Sequence, residues 1–212
     1  VGLVWGAAVN DDVQLEVRTD DDTPTGGSIA DASSFQAVRI NDGGAVGLYG
    51  DSLDTGAYSS TTWTDVTFNT IVLENDTDVI ERQAGNSNFR LKKNDTTFLI
   101  GYGVAFGTGG DRTQRVTRMV AGAADIPQSF SYAYQRNANN EYCDPNAVFL
   151  YRTTAASTDL SVQAQRGAAS VVGSAVRRPN TSGFFIVELP AVAKSFISHD
   201  NVGGQDIGGT AG

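Results

Sequence analysis

The sequence predicts an all-β chain, and three observations carry that expectation. Short apolar or alternating stretches recur along it, separated by Gly, Asn, Asp and Thr. β-branched and aromatic residues fill those stretches, as a pleated, half-buried surface favours. No long window places apolar residues at the spacing of an amphipathic helix. Strands at this spacing, with turn residues between them, imply a β-sandwich or barrel.

In chain order, residues 1–9 ("VGLVWGAAV") and 13–18 ("VQLEVR") flank "NDD" as a hairpin, and "TDDDTPTGGS" follows as a loop. Residues 35–40 ("FQAVRI") and 45–49 ("AVGLY") bracket "NDGG", a strong hairpin turn signal. The polar run "GDSLDTGAYSST" marks a boundary near residue 58. Beyond it, strands are expected at 63–73 ("WTDVTFNTIVL"), in "NSNFRLK", at 96–106 ("TTFLIGYGVAF") and at 114–122 ("QRVTRMVAG"). Four more are expected at 129–135 ("SFSYAYQ"), 147–154 ("AVFLYRTT"), 160–166 ("LSVQAQR") and 183–190 ("GFFIVELP"). This divides the chain into a hairpin-rich N-terminal part (1–58), a main β domain (59–198) and a Gly-rich tail (199–212).

The stretch "FLIGYGVAF" is unusual, because glycine inside a strand gives up packing and conformational entropy. With a side-chain period of two, Phe98, Ile100, Tyr102, Val104 and Phe106 share one face; Leu99, Gly101, Gly103 and Ala105 share the other. The large face fits between two sheets. The bare face either lets another surface approach the backbone or permits a bend. Phe184 and Phe185 begin a strand apolar on both faces, and Phe130, Tyr132 and Tyr134 line one face of theirs. Burial on both faces is expected where subunits pack side by side.

The charge balance narrows the function classes. With 15 basic and 24 acidic side chains the chain carries a formal net charge of −9. That argues against nucleic acid or an anionic membrane as partner, since both repel it. No apolar run approaches the ~20 residues of a membrane helix. Cys143 is the one cysteine, so no intrachain disulfide forms. The start, lacking Met and any signal-like segment, is expected to be trimmed or processed.

No catalytic set stands out. His199 is the single histidine, and nothing like G-x-S-x-G accompanies it. Cys143, in "NEYCDPN", reads as a lone thiol in a loop. One His and one Cys cannot complete a zinc site within one chain. "GYGVAFGTGGDR" reads as a strand entering a turn rather than a phosphate cradle, and no cofactor is expected. Glu141 beside Tyr142 is the nearest approach to a glycosidase carboxylate, and the expectation is that the chain is not an enzyme. Asp20 and Asp22 in one loop, and Asp76 and Asp78 in another, are weak calcium candidates; solvated acidic loops are the expected state. Arg112, Arg115, Arg118, Arg177 and Arg178 could form intersubunit ion pairs or a solvated face.

The order of pieces from "WTDVTFNT" through "NSNFRL", "FLIGYGVAF", "SFSYAYQ", "AVFLYRTT" and "LSVQAQRG" to "GFFIVELP" resembles the TNF/C1q-like jelly roll. That family's G-x-Y-x-[VF] strand corresponds to Gly101, Tyr102, Gly103 and Val104, and the resemblance covers roughly residues 60 to 198. The first 58 residues have no counterpart in a single such domain. The resemblance implies a jelly-roll sandwich that assembles as a homotrimer. It places Gly101, Tyr102, Gly103, Ala105, Tyr132, Tyr134 and Phe184 as interface candidates, with Tyr102 on the core face. The Asp/Thr/Gly-rich style is similar to structural proteins of tailed bacteriophages and related viruses. The expected role is therefore a capsid decoration or head or vertex fibre module on the extracellular surface of a virion, joined to itself and to other virion proteins. The alternative is a tail-fibre receptor-binding or cell-surface carbohydrate-binding module. Trp5, Trp63 and tyrosines exposed on one sheet face would favour that second role, by ring stacking on a glycan.

Overall fold

The computed structural model describes residues 44–50, 58, 60–107, 113–135, 143–167, 176–177 and 182–189. The strands expected at 1–9, 13–18 and 35–40, together with Trp5, Asp20, Asp22, Arg112, Glu141, Arg178 and His199, lie outside the described residues.

The described residues form strands β1 (Val46–Gly50), β2 (Thr64–Asp65), β3 (Thr70–Glu74), β4 (Ile80–Arg82), β5 (Asn88–Leu91), β6 (Thr97–Gly103) and β7 (Phe106–Gly107). There follow β8 (Thr113–Ala121), β9 (Ala124–Asp125), a 3-10 turn at Pro127–Ser129, β10 (Ser131–Gln135), β11 (Asn146–Arg152), β12 (Thr158–Arg166), β13 (Val176–Arg177) and β14 (Gly183–Glu188). Sheet 1 runs β11-β6-β14-β1-β3. Sheet 2 runs β10-β8-β12-β5-β4, with β2 added on β12 and β9 on β8, while β7 and β13 pair with each other. The ladders are antiparallel. The runs β1-β14-β6-β11 and β5-β12-β8-β10 face each other, and the first described strand pairs with the last described one. Two four-strand sheets wired in this way are a jelly roll.

Alternation explains the interior. From sheet 1, Tyr49, Phe98, Ile100, Tyr102, Phe149, Phe184 and Ile186 point inward; from sheet 2, Phe89, Leu91, Met119, Leu160, Val162 and Ala164 meet them in one cluster. Rings dominate its centre. Phe184 lies 4.4 Å from Phe89 and 5.5 Å from Phe68, centroid to centroid. Tyr49 packs 4.6 Å from Phe89 and gives its hydroxyl to Glu74 Oε2 at 2.7 Å. The tyrosine folds back over Gly47, where a Cβ would sit 2.6 Å from the phenol oxygen, so only glycine fits there.

Three expectations need correction. The stretch 63–73 is not one strand. β2 pairs with β12 in sheet 2 and β3 with β1 in sheet 1; between them, Phe68 drops fully into the core. Its alternation reflects a chain crossing the sandwich rather than a single ladder. The stretch 96–106 ends as a strand at Gly103: the Val104 amide bonds to Pro145 O at 3.2 Å and the Ala105 amide to Ser182 Oγ at 3.1 Å. Phe106 then pairs with Cys143 and β13. Lastly, β1 precedes the boundary drawn near residue 58, yet it sits inside sheet 1 with β14 on one side and β3 on the other. Both its edges are paired; the hairpin expected around "NDGG" otherwise lies outside the described residues. The Asn75 amide holds the start of β1, accepting from the Val46 amide at 2.7 Å and donating to Gly44 O at 3.2 Å.

Candidate interaction surfaces

The interior is structural. The Tyr102 hydroxyl donates to the Ser129 carbonyl, and Thr117 Oγ1 is 3.2 Å away; burial pushes that phenol up to about 12. Ser129 Oγ takes the Met119 amide at 2.7 Å and donates to Ile126 O at 2.6 Å, which fixes the turn into β10. Tyr102 and Phe184 therefore belong to the core, out of reach of a second copy. Cys143 is buried, and desolvation pushes its thiol up to about 11 against the opposing pull of the Arg115 charge. It is neutral at ordinary pH and a poor nucleophile. Arg115 is fully buried; its Nη1 donates to Tyr58 O at 3.0 Å, while Nε and Nη2 make no hydrogen bond among the described residues. Desolvation pulls the guanidinium down from its usual range. Arg115 thus lies inside the sandwich and is no candidate for an intersubunit ion pair.

The acidic loop at 74–78 is a turn. Asp76 Oδ1 accepts from the Asp78 amide at 3.0 Å, and the Asp76 carbonyl accepts from Val79 and Ile80. Among the described residues, no group of three or more His, Cys, Asp or Glu side chains comes together as metal ligands.

The outer face of sheet 1, turned away from sheet 2, reads as three rows across its strands. One row is Val46, Val187, Leu99 and Leu150; the next is Leu48, Phe185, Gly101 and Val148; the third is Gly50, Gly183, Gly103 and Asn146. No charged side chain stands in them. Val46, Phe185 and Val187 form a second apolar cluster, with Leu48, Leu73 and Leu99 packed against it. Val148 and Val72 stay 41% and 62% exposed. The bare stripe of β6 takes on a different meaning here. A Cβ on Gly101 would sit 2.4 Å from the Phe185 ring, so that ring already fills the space. Gly103 is open by comparison, with Asp144 Oδ1 3.3 Å from such a Cβ. The bare strip runs across β1, β14 and β6 through Gly50, Gly183 and Gly103, rather than along β6. Ala105 is buried and held to Ser182. Sequence alternation put Leu99 and Gly101 on the face opposite Tyr102, but their partners depend on ladder register, which no local pattern reveals.

The outer face of sheet 2 has different chemistry. Tyr132 and Tyr134 project from the edge strand β10, 61% and 59% exposed. Across the ladders, Tyr132 is followed by Val116 and Gln165, and the next row carries Arg118, Gln163 and Asp65. Arg118 is held on every side. Its Nε and Nη2 donate to Gln163 Oε1 at 3.0 and 2.8 Å, Nη1 pairs with Asp125 at 2.6 Å, and the guanidinium lies 4.0 Å over the Trp63 ring. Gln163 Nε2 in turn donates to Asp65 Oδ1 at 2.9 Å. Trp63 also meets Phe130 edge-on at 6.1 Å. The intrachain pairing of Arg118 with Asp125 replaces the intersubunit pair read from the sequence; Arg118 and Asp125 are brought together by the short β8–β9 hairpin.

No family model matches the sequence, and no curated protein matches it. Solved structures are similar in shape. Murine APRIL at pH 5.0 aligns over 69% of this chain and 100% of its own, with TM-score 0.48 and 13% identity. The globular domain of zebrafish complement 1qA covers 69% of this chain and 97% of its own, with TM-score 0.45 and 11% identity. Eiger TNF from S. frugiperda covers 74% and 99%, with TM-score 0.38 and 9% identity.

Proposed function

We propose that the chain is a self-assembling structural module, whose copies meet through the outer face of sheet 1 around a three-fold axis. The observation that carries this is the three uncharged rows across β1, β14, β6 and β11. A sheet face exposed to water ordinarily alternates to Thr, Lys or Glu. Apolar area buried between subunits gains about 25 cal/mol per Å² before the cost of association. The glycine row lets backbones approach. The assembly sits on the outside of a virion, as a capsid decoration or a head or vertex fibre. Support for that placement is the Asp/Thr/Gly-rich style of the sequence and its negative charge, which keeps displayed copies soluble.

Sedimentation equilibrium of the chain should give the mass of a trimer, and Leu99→Asp with Val148→Asp should give a folded monomer. A wild-type monomer at every concentration would overturn the assembly reading. Peptide mass spectrometry of purified virus particles from the chain's source should find it at fixed stoichiometry; its absence from the particles would overturn the placement.

A further inference from the structure

We propose that the outer face of sheet 2 is a binding platform for a neutral saccharide, built on Tyr132 and Tyr134. This goes beyond the assembly reading and does not depend on it, because the two surfaces lie on opposite sides of the sandwich.

Two phenol rings two residues apart on one strand stand about 7 Å apart, side by side. Adjacent exposed rings make one contiguous apolar patch, the kind of surface that marks a contact, and tyrosine combines a flat apolar body with a polar tip. Such a pair offers stacking area for the C–H faces of successive sugar rings, and phenol hydroxyls for their edges. Beside it, Gln165 and the Asp65 carboxylate, held in place by Gln163, supply amide and carboxylate groups suited to sugar hydroxyls. The supporting residues are already fixed: Arg118 is clamped by Gln163, Asp125 and Trp63, so little order is lost when a ligand arrives.

Charge selects the class of ligand. The one cation at the centre of this face, Arg118, is matched by Asp125, and Asp65 is bonded by Gln163. Gln163 carries no charge, so Asp65 leaves the centre with one net negative charge, on a chain of net charge −9. An anionic polysaccharide is repelled by that net charge and finds no unmatched cation among these residues. A hydroxyl-rich, uncharged ligand with apolar ring faces fits what remains.

Affinity electrophoresis of the full chain tests this, in native gels cast with dextran, galactomannan or xyloglucan, and with alginate as the anionic comparison. The expected result is retardation by at least one neutral polysaccharide and none by alginate. Tyr132→Ala and Tyr134→Ala should each weaken the interaction about tenfold, the usual effect of losing an aromatic anchor. Leu99→Asp, on the opposite face, should leave it unchanged even where assembly is lost. No retardation in any of the three neutral gels would overturn the proposal. So would retardation indifferent to both tyrosines, or stronger binding to alginate. Both tyrosines are more than half exposed, so the variants fold, and an unchanged melting temperature verifies it.

Discussion

The outer faces of the two sheets are built from the same backbone geometry and differ in how they satisfy their surroundings. On sheet 1 the contacts are shape and apolar area: Phe185 lies over Gly101, and Val46, Leu48, Leu73, Leu99 and Val187 close around it. On sheet 2 the contacts are directional. Arg118, Gln163, Asp65, Asp125 and Trp63 hold one another by hydrogen bonds, an ion pair and a stacked guanidinium, and the tyrosines stand free of that network. An apolar face gains by excluding water over a wide area and suits another broad protein surface. A face of fixed polar groups and exposed rings discriminates between small ligands, because each unmatched hydrogen bond has a cost. The proposed assembly and recognition surfaces therefore fall on opposite sides of the sandwich.

The comparison makes the steric side most sensitive to added volume. Gly101→Val should destabilise the fold by about 1–3 kcal/mol, since the new side chain collides with the Phe185 ring. Chemical denaturation reads this, and Phe185→Ala in the same chain should recover part of the loss through coupling between neighbours. Gly103→Val sharpens the point: its Cβ meets the Asp144 carboxylate at 3.3 Å and the Asn146 Cβ at an ordinary 3.7 Å, so folding stability should change by less than about 1 kcal/mol. Self-association should nevertheless weaken in sedimentation, because the glycine row is filled.

Sheet 2 should respond to lost bonds instead. Arg118→Met keeps some contact with Trp63 and removes the bonds to Gln163 and Asp125, for a loss of about 1 kcal/mol in denaturation. The smallest effect concerns Arg90 and Asp159, a cross-strand pair joined by two hydrogen bonds at 2.7 and 2.9 Å. The bond from Arg90 holds the Asp159 carboxyl below its usual range. A carboxylate with a lowered folded value stabilises above the unfolded aspartate value and loses that contribution as pH falls through the folded one. The acid limb of a melting-temperature profile should therefore fall slightly less steeply in Asp159→Asn than in the native chain. Because both partners are well exposed, salt should reduce the difference.

Much of the fold was readable in the chain, and the reasons are local. Leu160, Val162 and Ala164 alternate cleanly and all point into the core. Phe184 and Phe185 were legible as a strand buried on both faces because apolar residues occupy consecutive positions. What stayed hidden depends on the fold as a whole. Nothing local in "WTDVTFNTIVL" says that its two ends enter different sheets. Nothing in "AVGLY" says that its strand lies between the last described strand and β3, since both partners are distant in sequence or set by the sheet as a whole. Of the interface candidates, Tyr132 and Tyr134 are exposed, Gly103 is half-buried, and Gly101, Tyr102, Ala105 and Phe184 are buried within the chain. The rows of sheet 1 and the Arg118–Trp63 stack bring together residues far apart in sequence, which a one-dimensional pattern does not record.

Hydroxyl-radical footprinting across a dilution series tests the division of labour between the two faces most directly. As the chain is concentrated, labelling of Leu48, Leu99 and Val148 should fall while that of Tyr132 and Tyr134 stays constant. Protection of the tyrosines with Leu99 and Val148 still labelled would contradict the assignment of assembly to sheet 1.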